Sequence, residues 1–170
     1  MSLHDFRLRS GGNIMDPKAL RNAYGRFMTG VVVAITEASD GRRVGFTANS
    51  FASVSLDPPL VSICPGQFLS SYEEFKACDR FTVSILAADQ QEVAEVFAGY
   101  KGDRFAKVDW VAGEKTGLPM IAGAAASFEC DRHEVVTAGD HVILIGQVLG
   151  FQDAEKPGLG YNAGQFFTLA

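Results

Sequence analysis

The chain has 170 residues, 47% hydrophobic and 21% charged, with a formal net charge of -5. That is enough apolar material for one domain with a sizeable core, and too much for a disordered chain. The acidic balance argues against sequence-independent nucleic-acid binding, which needs basic surface to displace counterions.

Met1 to Ile14 is polar and Gly-rich and shows no signal-peptide pattern. Residues 1–15 therefore read as a disordered leader, and residues 16–170 as one domain. No apolar run reaches the roughly 18 residues of a membrane span. Asp16-Pro17 supplies an N-cap and a proline at the first helical position. Ala19, Leu20, Ala23, Tyr24 and Phe27 then recur at helical spacing, so a short amphipathic helix is expected up to about Phe27. Gly30 to Thr36 is apolar and β-branched and reads as a strand buried on both faces. Ser39-Asp40-Gly41 carries hairpin turn chemistry. Leu60 to Cys64 reads as a buried strand after the turn at Asp57-Pro58-Pro59.

Ser70 or Ser71 is expected to cap a helix starting near Tyr72, with Glu73 and Glu74 at its positive end. Two hydroxyls at a helix start suit a phosphate as well as a plain capping box. Arg80 to Leu86 alternates and reads as a half-buried strand. Asp89 to Phe97 reads as a helix, and Gly99 to Phe105 as a loop. Within that loop Asp103 and Arg104 alone suggest a solvated ion pair, and Phe105 suits a core position. Small residues over Ala122 to Ser127 suggest close backbone packing. Cys130 to Val136 reads as a strand, and His141 to Phe151 as the longest hydrophobic one. Strands in hairpin succession outnumber helices, which favours an antiparallel barrel with helices at its rim.

Cys64, Cys78 and Cys130 form no Cys-x-x-Cys pair. An odd count points away from a disulfide framework or zinc knuckle, and toward a reducing cytoplasm. Cys130 and His133 fall on opposite faces of a strand, so no metal site is expected.

The most informative stretch is Gly45 to Leu60. Thr47, Asn49, Ser50, Ser53 and Ser55 are polar and uncharged, interleaved with Phe46, Phe51, Val54 and Leu56. A solvent-facing strand would normally carry Lys, Glu or Arg instead. Small donors and acceptors suit an uncharged polar ligand lying against the backbone. They equally suit a turn-rich hairpin with no ligand. Gly139-Asp140-His141 places a histidine at the mouth of a hydrophobic strand; alone, it reads as a strand-end side chain bonded to a nearby carbonyl.

Thr47-Ala-Asn-Ser-Phe-Ala-Ser-Val-Ser-Leu-Asp-Pro-Pro-Leu-Val61 resembles the central motif of the short-chain flavin reductases, the reductase components of two-component flavin monooxygenases. Met28-Thr29-Gly30-Val31-Val32, Asp103-Arg104-Phe105 and Gly139-Asp140-His141 match in order along the chain. The resemblance implies a mainly β fold, the antiparallel split β-barrel of the Greek-key, FMN-binding type with a few peripheral helices. It implies NAD(P)H:flavin oxidoreductase activity with FMN or FAD and NADH or NADPH, in a homodimer feeding reduced flavin to a monooxygenase. A non-enzymatic FMN-binding electron carrier on the same barrel is the alternative. By resemblance, Thr47, Ala48, Asn49 and Ser50 face the isoalloxazine and ribityl parts. Ser53 and Ser55 hold the ribityl-phosphate or its loop, with Ser70 and Ser71 as further phosphate contacts. Met28 to Val32 line the ring's other edge, and Tyr161, in an ending close to the aromatic-rich one of some relatives, is a further cofactor-binding residue. Asp103, Arg104 and Phe105 border the nicotinamide pocket, and His141 contacts the nicotinamide.

Overall fold

In the computed structural model of the chain, residues 9–10 and 13–168 are described, with backbone alone before Met15. Most of the leader expected over 1–15 lies outside the described residues. Arg9–Ser10 (β1) and Asn13–Ile14 (β2) pair antiparallel within it. α1 (Pro17–Tyr24) starts as its sequence requires, with the Asp16 carboxylate accepting from the Lys18 N–H at 3.0 Å and proline at the first position. It stops at Tyr24, short of Phe27, because the chain turns at Gly25 to enter β3 (Thr29–Gly30). None of its residues is buried.

The core is one seven-stranded antiparallel sheet. Its strands are β4 (Val32–Glu37), β5 (Arg43–Ala48), β6 (Ala52–Leu56), β7 (Pro59–Ile63), β8 (Arg80–Ile85), β11 (Ala126–Ala138) and β12 (His141–Asp153). They lie in the order β5-β4-β8-β11-β12-β7-β6. β5 and β6 are thus opposite edges of the sheet, yet only Asn49, Ser50 and Phe51 join them. That link spans at most about 14 Å. The edges of a flat seven-stranded sheet stand roughly 29 Å apart at ~4.8 Å per strand. The sheet must therefore curl until its edges meet.

The register agrees. Ala48 pairs with Val32, Val32 with Ile85, Ile85 with Ala126, and Ala126 with Asp153 at the end of β12. On the other side of the link, the Ser50 hydroxyl accepts from the Cys64 N–H, next to Ile63, which pairs with Leu144 near the start of β12. Such an offset around the circuit is the stagger that tilted barrel strands impose. β5 and β6 share no ladder, so the barrel is split along this line.

β4 is buried on both faces, as its composition requires. Val32 and Ala34 point into the barrel with Phe46, Ile63, Phe75, Phe81 and Leu144. Val33 and Ile35 point outward under Phe97 of α3 (Gln91–Gly99) and Leu159. β8 departs from the half-buried expectation. Its Thr82 and Ser84 are fully buried, because β10 (Pro119–Ile121), paired with β9 (Trp110–Ala112), covers that face. The Thr82 hydroxyl donates to the Pro119 carbonyl at 2.6 Å, and Ser84 Oγ accepts from the Ile121 N–H at 3.0 Å. α2 (Tyr72–Ala77) drives Phe75 into the barrel, edge-on to Phe46. β13 (Leu159–Asn162) and β14 (Gln165–Thr168) form a closing hairpin, and β3 pairs with β13.

Candidate functional site

The split runs along the stretch that stood out in the sequence. β5 and β6 each turn one backbone edge toward it, so N–H and C=O groups there lack strand partners. Asn49 and Ser53 are exposed, while Thr47, Ala48, Ser50 and Ser55 are half-buried. Two hydroxyls already work within the chain. Thr47 Oγ1 donates to the Ala94 carbonyl of α3 at 2.6 Å, and Ser50 Oγ accepts from Cys64 N–H. Thr47 keeps its two acceptor lone pairs, and Ser50 keeps its donor and one acceptor. α3 lies close over β5 because residue 45 is glycine. A Cβ there would stand 2.9 Å from the Phe97 ring and 3.0 Å from the Ala34 carbonyl.

His141 joins the same rim. Gly66, two residues beyond Cys64, bridges to His141; Val142 N–H donates to Pro65 O and Gln67 N–H to Asp140 O. His141 Nδ1 lies 2.7 Å from the Asp140 carboxylate, a partner the sequence reading had not assigned. An ionised carboxylate only accepts, so Nδ1 bears the proton and Nε2 of the neutral ring is an acceptor. The contact holds the Asp140 carboxyl below its ordinary 3.8.

Met28 to Val32 divide by position. Met28 is exposed, and Thr29 pairs with Tyr161 on β13. Val31 and Val32 send their side chains into the two cores, so only their backbone groups are left to face a ligand. The Gly30 backbone lies opposite Gly160. Thr29 Oγ1 and Asn162 Oδ1 are buried yet find no hydrogen-bond partner among the described residues. Such orphans are costly unless a ligand or water completes them. Beside them is a cleft of about 270 Å³ lined by Met28, Asn162, Gln165, Phe166 and Phe167.

Asp103 and Arg104 do not pair with each other. Asp103 accepts from the Phe105 and Ala106 N–H groups, and Arg104 donates to Gly45 O at 2.7 Å and Tyr100 O at 3.0 Å. Arg104 therefore ties the loop to β5, and Phe105 packs edge-on against Phe97. Ser71 sits at the N-cap of α2 but makes no side-chain cap bond, and it is buried, whereas Ser70 is exposed. The capping box expected there does not form.

The family model for the flavin reductase-like domain matches residues 24–170. The chain belongs to that family. It is 45% identical over 155 residues to a probable flavin reductase of Rhizobium meliloti (strain 1021), covering 91% of this chain and 50% of that protein. It is 47% identical over 153 residues to the reductase component of a flavin-dependent trigonelline monooxygenase of Acinetobacter baylyi, covering 90% and 49%. The chain thus spans about half the length of these curated relatives. Among solved structures it resembles the Streptomyces globisporus C-1027 NADH:FAD oxidoreductase SgcE6 in complex with NAD and FAD fragments. There the TM-score is 0.85 at 41% identity, covering 93% of this chain and 97% of that one.

The donor set fits a flavin. Uncharged hydroxyls, amides and open strand edges line the split, and orphaned polar atoms lie at Thr29 and Asn162. Sequence reasoning did not single out Gly66, which bridges to His141, or Asn162, whose Oδ1 is orphaned beside the cleft; neither carried a local signal. Among the described residues no group of His, Cys, Asp or Glu could hold a metal ion, and no helix is long and apolar enough to cross a membrane.

Proposed function

We propose that this flavin reductase-like domain is an NAD(P)H:flavin oxidoreductase. It moves hydride from NADH or NADPH to FMN or FAD and supplies reduced flavin to a separate monooxygenase in the cytoplasm. The observation that carries the reading is the split itself: an uncharged, edge-exposed wall linked through Ser50, Cys64 and Gly66 to an oriented His141. The relatives' names, a monooxygenase reductase component and an NADH:FAD oxidoreductase, support it.

Hydride transfer between a nicotinamide and a flavin is chemistry those two groups supply when bound, and needs no protein nucleophile. The chain orients them and excludes water. Thr47 to Ser50 would hold the flavin's ring and ribityl parts through backbone groups and the remaining capacities of the Thr47 and Ser50 hydroxyls. Ser53 and Ser55 on β6 hold the phosphate-bearing arm, with exposed Ser70 as a further hydroxyl. Met28, Thr29, Gly30 and Tyr161 border the ring's other edge. Asp103, Arg104 and Phe105 fix the wall behind Thr47, and His141 accepts from the nicotinamide carboxamide.

A homodimer completes this site. The cleft beside Met28 falls below the ~300–1,000 Å³ usual for a whole ligand. Leu56, on the free edge of β6, is 95% exposed, and Val54 and Phe151 are exposed as well. Such apolar surface suits a second copy.

Protein stripped of flavin is expected to oxidise NADH only after FMN or FAD is added, read from the near-ultraviolet absorbance of NADH. Equal consumption without flavin contradicts the reading. Flavin binding without anaerobic bleaching by NADH or NADPH makes the chain a carrier instead.

A further inference from the structure

We propose that Phe68 is a specificity-determining residue of the nicotinamide site. Its ring and that of His141 form an angled pair that receives the pyridine ring and carboxamide of NADH or NADPH. The proposal rests on the hydride-transfer reading above and adds to it a residue that none of the family motifs contains.

Phe68 is 75% exposed, although it sits in an ordered turn. Leu69 N–H donates to Gly66 O at 3.0 Å, so Phe68 is the third residue of a tight turn from Gly66 to Leu69. Leu69 is anchored against the barrel core, which throws Phe68 outward. Its ring stands 5.7 Å from the His141 ring at 72°, the edge-on geometry that aromatic pairs favour.

The two rings are held as one unit. Val142 N–H to Pro65 O, Gln67 N–H to Asp140 O and the Gly66–His141 bridge stitch the two loops together. Gly66 lies between the rings. A Cβ there would intrude on the Phe68 ring and stand 2.8 Å from His141 Nε2, so the backbone is shaped around this pair.

The chemistry selects the ligand. Phe68 carries no hydrogen-bonding group and the Asp140 carboxylate stands beside His141, which disfavours a phosphate at the pair itself. What the pair offers is an apolar ring face beside a single acceptor, Nε2, because Asp140 occupies Nδ1. A flat heteroaromatic ring bearing a carboxamide N–H₂ matches both: the ring lies on Phe68 and the amide donates to Nε2.

The test compares Phe68→Ala, Phe68→Leu and Phe68→Tyr at saturating flavin, with flavin affinity followed separately by fluorescence. Phe68→Ala is expected to raise the KM for NADH about tenfold, the upper range of an aromatic contact. Its kcat and flavin Kd should stay within about twofold of wild type, since the wall that holds flavin is untouched. Phe68→Tyr should restore the wild-type KM, and Phe68→Leu should not. An unchanged KM in Phe68→Ala, an equal rise in flavin Kd, or a leucine variant as good as tyrosine overturns the proposal while leaving the parent reading intact. If the wild type itself fails to oxidise NADH with flavin present, the parent reading falls and this proposal with it. Gly66→Ala, which must displace both rings, should raise the KM at least as far; if it does not fold, the Phe68 series decides alone.

Discussion

Gly45 carries more of the site than its size suggests. It lets α3 approach β5 closely enough for Thr47 to reach the Ala94 carbonyl, and it offers its own carbonyl to Arg104. In Gly45→Ala the new methyl meets Phe97, the Ala34 carbonyl and Ile35 within 3.1 Å, and backbone cannot yield as a side-chain tip does. The expected loss is about 1–3 kcal/mol, read as a lower denaturant midpoint with unchanged slope. The cysteines give a second expectation. Burial pushes the Cys78 thiol from its ordinary 9.0 to about 11 and Cys130 to about 12, and raises Cys64 as well. The folded state therefore holds these protons more tightly than the unfolded chain does. Their contribution is fully present below about 9 and is lost as pH rises toward 11–12. Stability measured across that window should fall, and native protein near neutral pH should resist alkylation at Cys78 and Cys130.

Elements were legible where local pattern and tertiary setting agree. β4, an unbroken β-branched run, is buried on both faces as such runs require, and the Asp16-Pro17 start of α1 is where its cap places it. β8 shows where local pattern fails. Its Thr82 and Ser84 alternate like a solvated face, but β10 comes from far along the chain to cover them. The capping box at Ser71 fails because that serine is buried without reaching the helix N–H groups. Glu129 belongs with these. It is a carboxylate only 5% exposed on β11, and it accepts from the N–H groups of Lys115 and Thr116 and from the Thr116 hydroxyl. Gly113 leaves room for it, since a Cβ there would collide with the carboxylate. Glu129→Ala should release the 113–118 loop and cost about 2–4 kcal/mol, because bonds to a charged acceptor are lost together and the loop's N–H groups are orphaned. Urea unfolding measures that cost, and a value near zero would make the clamp incidental.

At the scale of the whole molecule, the split is what leaves a hydroxyl-rich stretch with open strand edges. Composition singled out residues 47–55, because Lys, Glu and Arg are missing where a solvated strand would carry them. It could not show that β5 and β6 are opposite edges of one sheet, since that follows from pairings of β8, β11 and β12 far along the chain. Nor could it show that Val31 and Val32 face the cores, or that Asp140 sets the His141 tautomer. The most direct measurement is amide hydrogen exchange on flavin-free protein with and without added FMN or FAD. Protection is expected in residues 47–55, with the distant cleft of Val111, Gly123 and Gln152 unchanged. No protection along 47–55, or protection confined to that distant cleft, would contradict a flavin seated in the split.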